Sequence, residues 1–567
     1  MTRIAIDPIT RIEGHLRIEV EVQNGVVTDA WSTGTMFRGI EMILRGRDPR
    51  DAWVFAQRAC GVCTTVHALA SVRSVENALG LRIPRNARLI RNLIQGIQFV
   101  QDHVIHFYHL HALDWVDVVS ALSADEKATA ALAQSISDWP NSSPTYFAGV
   151  RDKLKAFVAS GQLGPFTNGY WGHPAYKLTP EANLLAVAHY LEALDWQRQV
   201  IKIQAILGAK NPHPQTYLVG GMALALDPNS PKALNANGLS QITELIAQAK
   251  DFVDRVYIPD VLAVASFYKD WAGLGSGIGN YLVYGDFPDD DSGQPEAFYL
   301  PRGRILGRDL TKVLPVDQKS IAEAVSHSWY EYSGNAASLH PYDGQTAPKY
   351  SGPTPPFDSI TTDRYSWLKA PRYEDTPMEV GPLSRMLVAY ASGHKDVKPA
   401  VDGVLAKLGV PATALFSTLG RVAARAIETQ LLAAKLQGWL SDLEANLRTG
   451  DLAIADVTHW DPASWPSNAQ GFGMEEAPRG ALGHWVVISD KKIANYQMIV
   501  PSTWNGSPRD DKGRRGAWEE ALVGTPVADP AKPVEILRTI HSFDPCMACA
   551  VHVFDPDAGS SIVVRVV

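Results

Sequence analysis

Arg58-Ala59-Cys60-Gly61-Val62-Cys63 near the start of the chain and Asp544-Pro545-Cys546-Met547-Ala548-Cys549 near its end hold all four cysteines of the 567 residues. Each stretch is a Cys-x-x-Cys loop, which lets two thiolates chelate one ion, and two such loops supply four sulfur ligands. A histidine follows each pair, His67 after Cys63 and His552 after Cys549. Complete use of the cysteines in two matching pairs implies a fold that brings the chain ends together at a buried metal site. Three other readings stay open at this level: a structural zinc site, two independent redox pairs, or buried cysteines with no role. A structural zinc usually staples a small module, and this chain has enough apolar material not to need one.

Outward from the first pair, Leu16, Ile18, Val20 and Val22 alternate with polar residues, and Asn24-Gly25 offers a turn before Val26-Val27; this predicts a hairpin. Helical spacing runs from Pro84 to about Leu122, whole or broken. It recurs from Pro180 to about Leu207, with Leu184, Val187, Leu191 and Leu194 on one stripe, and from Leu239 to Val256. The stretch 272–375 is rich in Gly, Pro and Asp and reads as loops with short strands; its glycines do not satisfy the dinucleotide-binding pattern. Helix is expected again over Pro382–Ala391 and Pro411–Leu447, and β alternation from Gly483 onward. The fold expected is α+β and predominantly helical: one large helical body with peripheral β hairpins, the N- and C-terminal segments meeting at the metal site.

Composition narrows the function classes. The chain is 46% hydrophobic and 20% charged, as in ordinary globular proteins. Its net charge of −8 argues against a sequence-independent nucleic-acid binder. With Trp 15, Tyr 19 and Phe 16, broad buried surfaces are expected, a partner interface among them. Residues Met1 to Thr10 show no apolar secretory segment, and no run of 18 apolar residues occurs.

The stretches RACGVCTTVH (58–67) and DPCMACAVH (544–552), with RIEGH (11–15), FRGIE (37–41), GRDPRDAW (46–53), NPHP (211–214), EAPRGALGHW (476–485) and PRD (508–510), resemble the large subunit of [NiFe] hydrogenases of the membrane-associated uptake type. The resemblance covers nearly the whole chain and implies reversible oxidation of dihydrogen. It implies that Cys60 and Cys546 are terminal nickel ligands, and that Cys63 and Cys549 bridge nickel to an iron carrying carbonyl and cyanide. His67 would donate to the Cys549 sulfur. Arg479 would stand over the metals, oriented by Asp102 and Asp544, with Pro478 and Ser502 cradling the diatomic ligands. Glu13 would relay protons from Cys546; the alternative is a salt bridge with Arg11 or Arg17. Glu41, the Met498 carbonyl and His552 would hold a second ion, magnesium or another divalent metal. Four histidines near Asp102 (His103, His106, His109 and His111) fit helix packing or proton transfer better than a further metal site.

With every cysteine committed, electrons need a partner, and the resemblance implies a small subunit carrying iron–sulfur clusters. It also implies nickel-insertion proteins and a maturation endopeptidase, with residues 1–552 forming the catalytic domain and 553–567 a peptide removed after metal insertion. Location on the periplasmic side of the membrane through the small subunit is expected, a cytoplasmic enzyme being compatible too. The competing functions are a dihydrogen-sensing regulatory subunit and a non-catalytic zinc scaffold.

Overall fold

The structure is a computed structural model and describes residues 2–167, 169–352 and 363–550. Strands β1 (Thr2–Ile6), β2 (Leu16–Gln23) and β3 (Val26–Gly34) form an antiparallel sheet in that order. Leu16, Ile18, Val20 and Val22 all face inward, and Asn24 and Gly25 take positive φ at the turn, the geometry of a two-residue hairpin. After the short helix α1 (Ile40–Leu44) and a second short helix at Ala52–Ala56, the first cysteine loop leads into α2 (Val66–Leu79).

Helix α3 (Arg85–Ile105) buries Leu89, Leu93, Ile97, Val100 and Val104. It then widens into a π-helical turn over His106–His111 and ends in 3-10 geometry at Asp114, so the helix expected to Leu122 is broken. The span read from Pro180 forms α4 (Pro180–Val200), capped by the Thr179 hydroxyl, which accepts from the Ala182 amide. Its apolar stripe is misread in the sequence: Leu191 and Leu194 are 37% and 36% exposed, while Tyr190, Ala193 and Trp196 are buried. The aromatic residues outbid the leucines for the inward face because they bury more area per residue.

Helix α5 (Ala236–Phe252) continues through a π turn into the helix Ile258–Phe267. The middle of the chain carries the expected short strands, among them Tyr281–Val283, Phe298–Leu300 and Ile321–Ala324. Helix α6 (Pro382–Ala391) matches its predicted span, whereas α7 (Thr418–Arg448) starts later than Pro411, after a 3-10 turn. The helices Glu126–Ile136, Pro144–Ala159 and Val397–Leu408 are not among the spans expected from the sequence. Helix α7 lies along α3 at the centre of the body.

The last sheet is β4 (Asn468–Ala477), β5 (Gly480–Ser489) and β6 (Lys492–Ile499). It packs on α2 with nearly all of β5 buried, so this hairpin sits inside the body and not on its surface. Among the described residues no helix is long and apolar enough to cross a membrane.

Candidate metal centre

The two cysteine loops meet. The Cys546 sulfur lies 3.3 Å from that of Cys60 and 4.0 Å from that of Cys63. Among the described residues these three are the one group of His, Cys, Asp and Glu close enough to hold an ion, and all three are buried. A disulfide needs about 2.05 Å between sulfurs, so none is formed. Two sulfurs each about 2.3 Å from one metal stand about 3.3–3.8 Å apart; the Cys60–Cys546 pair has that spacing and the Cys63–Cys546 pair lies slightly beyond it. The Val62 and Cys63 amides both donate to the Cys60 sulfur at 3.2 Å, favouring its thiolate form. The side chain of Cys549 and all of His552 lie outside the described residues.

The second loop is held by the N-terminal segment. Glu13 and Cys546 form a parallel bridge, and the Met547 amide donates to the Glu13 carbonyl at 2.8 Å. Gly14, at φ +79, comes so close that a Cβ there would stand 2.8 Å from the Ala548 nitrogen. The Glu13 Oε2 accepts from the Ala548 amide at 2.6 Å and lies 3.4 Å from the Cys546 sulfur. Burial, helped by the nearby Cys60 sulfur, raises its pKa against the opposing Ala548 amide. Arg11 and Arg17 are engaged elsewhere, with Asp114 and with Asp7 and Glu19, so the salt-bridge reading of Glu13 gains no support. The Cys546 amide donates to the Ser502 hydroxyl at 3.0 Å.

Arg479 occupies a two-residue turn: Ala477 pairs with Gly480 across it, leaving Pro478-Arg479 at the tip. Arg479 is buried. It faces Asp102 at 3.2 Å and Asp544 at 3.1 Å, while its Nε has no hydrogen-bond partner among the described residues. Burial works against its charge, but Asp544, Cys546 and Asp102 outweigh it and hold the guanidinium protonated. Asp102 is pushed up to about 7, by burial first, with Arg479 opposing and Asp544 adding to the rise. A cavity of about 10 Å³, lined by Cys63, His67, Arg479, Leu482, Ser502 and Cys546, has room for about one water-sized sphere.

His67 is buried and its pKa falls to about 4, mainly through burial. Its Nδ1 lies 3.1 Å from His484 Nε2, and His484 Nδ1 lies 2.7 Å from the Tyr496 hydroxyl. His484 stands in the EAPRGALGHW stretch, so a signal for it existed. The four histidines of α3 and its π turn diverge. His103 faces Glu428, and His106, His109 and His111 face the carbonyls of His541, Tyr190 and Arg538. Glu41 is buried; its Oε1 accepts from the Met498 amide at 2.8 Å, and Thr346 and Lys369 face Oε2.

A helical body that buries a cluster of soft ligands under one fixed cation defines a metalloenzyme. Residues 38–552 match the family described as Nickel-dependent hydrogenase, and residues 3–32 match HoxL-like. The chain belongs to the nickel-dependent hydrogenase family. It is 55% identical to the uptake hydrogenase large subunit of Rhizobium leguminosarum bv. viciae, covering 98% of this chain and 96% of that protein. It is 49% identical to the Hydrogenase-1 large chain of Escherichia coli (strain K12), over 100% and 97%. The reduced Ni-Fe-Se hydrogenase of D. vulgaris Hildenborough superposes with a TM-score of 0.78 at 36% identity, over 97% of this chain and 100% of that one. The chain is thus a hydrogenase large subunit, an oxidoreductase that oxidises dihydrogen at a nickel–iron centre and pairs with a small subunit.

Proposed function

We propose that Cys60, Cys63, Cys546 and Cys549 hold the nickel–iron pair, and that Pro478, Arg479 and Ser502 would cradle its carbonyl and cyanide ligands. The observation that carries this is the three-sulfur cluster under Arg479. When bound, the metal pair accepts the two electrons released as dihydrogen separates into two protons. The chain does the rest. Leu482 and the buried walls of the cavity exclude water. Asp102 and Asp544 hold the Arg479 guanidinium at two points, so that a fixed positive charge faces the reacting molecule. The Cys546 sulfur receives a proton and passes it to Glu13 Oε2, 3.4 Å away. His67, its ring held by His484, would donate to the Cys549 sulfur.

Glu41, the Met498 carbonyl and His552 hold the second ion, for which an oxygen-rich set suits magnesium. Electrons leave through iron–sulfur clusters of the small subunit. Its docking face includes Met42, Ile43 and Val62, large apolar side chains exposed beside Glu41 and within the first cysteine loop. That partner carries the pair to the periplasmic side of the membrane. Nickel-insertion proteins load the site before an endopeptidase removes 553–567.

Metal analysis with infrared spectroscopy tests the reading. Nickel and iron at about one each per chain, with carbonyl and cyanide bands, are expected; zinc alone without those bands would overturn it.

A further inference from the structure

Arg385 lies in the middle of α6, the one charge in Pro-Leu-Ser-Arg-Met-Leu-Val-Ala-Tyr-Ala, and it is fully buried. All five of its N–H groups are engaged. Nε and Nη2 clasp the two oxygens of Glu428 on α7 at 2.5 and 2.7 Å, and Nη1 donates to Glu476 Oε2 on β4 at 2.7 Å. The two remaining donors go to main-chain carbonyls, Ala477 at 2.9 Å and Pro478 at 2.8 Å. Those carbonyls immediately precede Arg479. The other face of the turn rests on the start of the same helix, where a Cβ on Gly381 would stand 3.1 Å from the Arg479 carbonyl oxygen.

Glu428 is in turn met by His103 at 2.7 Å, next in sequence to Asp102, which pairs with Arg479. The turn is therefore gripped twice from α3, through Asp102 to the guanidinium tip and through His103, Glu428 and Arg385 to its carbonyls. A dehydrated guanidinium with two carboxylates is a poor stabiliser compared with apolar packing. What it supplies is direction, since the planar fork fixes several acceptors at once.

We propose that Arg385 is a positioning residue for dihydrogen oxidation: it fixes the Pro478-Arg479 turn, and through it the place of the Arg479 guanidinium over the cysteine sulfurs. This rests on the reading that Arg479 acts at the metal pair. Lysine at 385 retains the charge but has no fork, and reaches either Glu428 or the carbonyls.

The test is a double-mutant cycle in the matured heterodimer: Arg385→Lys, Arg479→Lys and both together, with turnover, nickel and iron per chain, and the g-values of the nickel electron paramagnetic resonance signal. Arg385→Lys should lower turnover at least tenfold with full metal content and shifted g-values. The double variant should be no more than about threefold slower than Arg479→Lys alone, because both changes act through one group. Losses that multiply in the double variant, or Arg385→Lys turnover within twofold of wild type beside a slow Arg479→Lys, overturn the inference alone. Unchanged turnover in Arg479→Lys overturns the role of Arg479 and this inference with it. Should Arg385→Lys not accumulate as folded protein, Glu428→Gln, which weakens the anchor and leaves the guanidinium, enters the same cycle with the same criteria.

Discussion

Replacing Glu13 with glutamine separates its structural from its chemical part. The main-chain bond from the Met547 amide to the Glu13 carbonyl is untouched, and a glutamine amide oxygen can take the place of the Oε2 that accepts from the Ala548 amide at 2.6 Å in the native chain. What folding loses is the difference between a charge-assisted and a neutral hydrogen bond, about 1 kcal/mol. The chemical loss is larger. A positioned acid–base group contributes about 10²–10⁴ in rate, or about 3–5 kcal/mol of barrier, and an amide cannot carry a proton away from the Cys546 sulfur 3.4 Å off. Glu13→Gln should therefore fold, bind nickel and iron normally, and lose at least a hundredfold in dihydrogen oxidation and in hydrogen–deuterium exchange. Exchange is the decisive assay because it needs proton movement but no external electron acceptor. Wild-type exchange in the metal-replete variant would refute the relay. Glu13→Asp keeps the carboxyl but withdraws it by about one bond length, and should recover part of the rate.

Gly14→Ala puts a Cβ 2.8 Å from both the Ala548 nitrogen and the Met547 Cβ, at a φ of +79; nickel per chain should fall below half of wild type, and normal nickel content would show that the second cysteine loop is not seated by this contact. His103 and His109 have their pKa lowered to about 4 and His111 to about 3, each chiefly by burial. The unfolded chain thus binds more protons below pH 6.5, and stability falls with acidity from there toward pH 4. Each contributes about 1–2 kcal/mol of loss between pH 7 and 5, and a thermal midpoint that stays level over that range would contradict it. Intact-mass measurement of active, nickel-loaded protein should give a chain ending at His552; active enzyme still carrying Val567 would refute removal of 553–567.

The parts of the fold that were legible are those in which one sequence period meets one buried face. The alternation of Leu16 to Val22 and the i, i+4 spacing of Leu89, Leu93 and Ile97 each describe a surface that is wholly buried. On α4 the same rule fails, because Leu191 and Leu194 compete with Tyr190 and Trp196 for the inward side and a single period cannot say which stripe wins. The break of α3 at His106–His111 escapes for another reason. A π turn takes one extra residue into the helix and shifts the face that follows, and the histidines there meet distant carbonyls of Tyr190, Arg538 and His541 that no local spacing names. The sulfur cluster was legible because cysteine is scarce and its loops carry their own geometry.

Arg385 and Glu428 were not, although Arg385 bonds the Pro478 carbonyl directly. A lone arginine in an apolar helix and a glutamate in a long one each read as ordinary, and only the fold makes them one ion pair. The arrangement they complete follows from helix geometry. Successive residues on a helix point about 100° apart, so Asp102 and His103 leave α3 in different directions. One goes straight to the Arg479 guanidinium; the other goes to Glu428, whose partner Arg385 returns to the carbonyls behind it. A single rigid helix thereby approaches the turn from the front and from the back. A guanidinium held only at its tip could pivot with its turn; held at tip and base, it cannot. Fixed charge of that kind acts on a reacting molecule without reorganising, which is why so much buried charge surrounds a cavity with room for about one water.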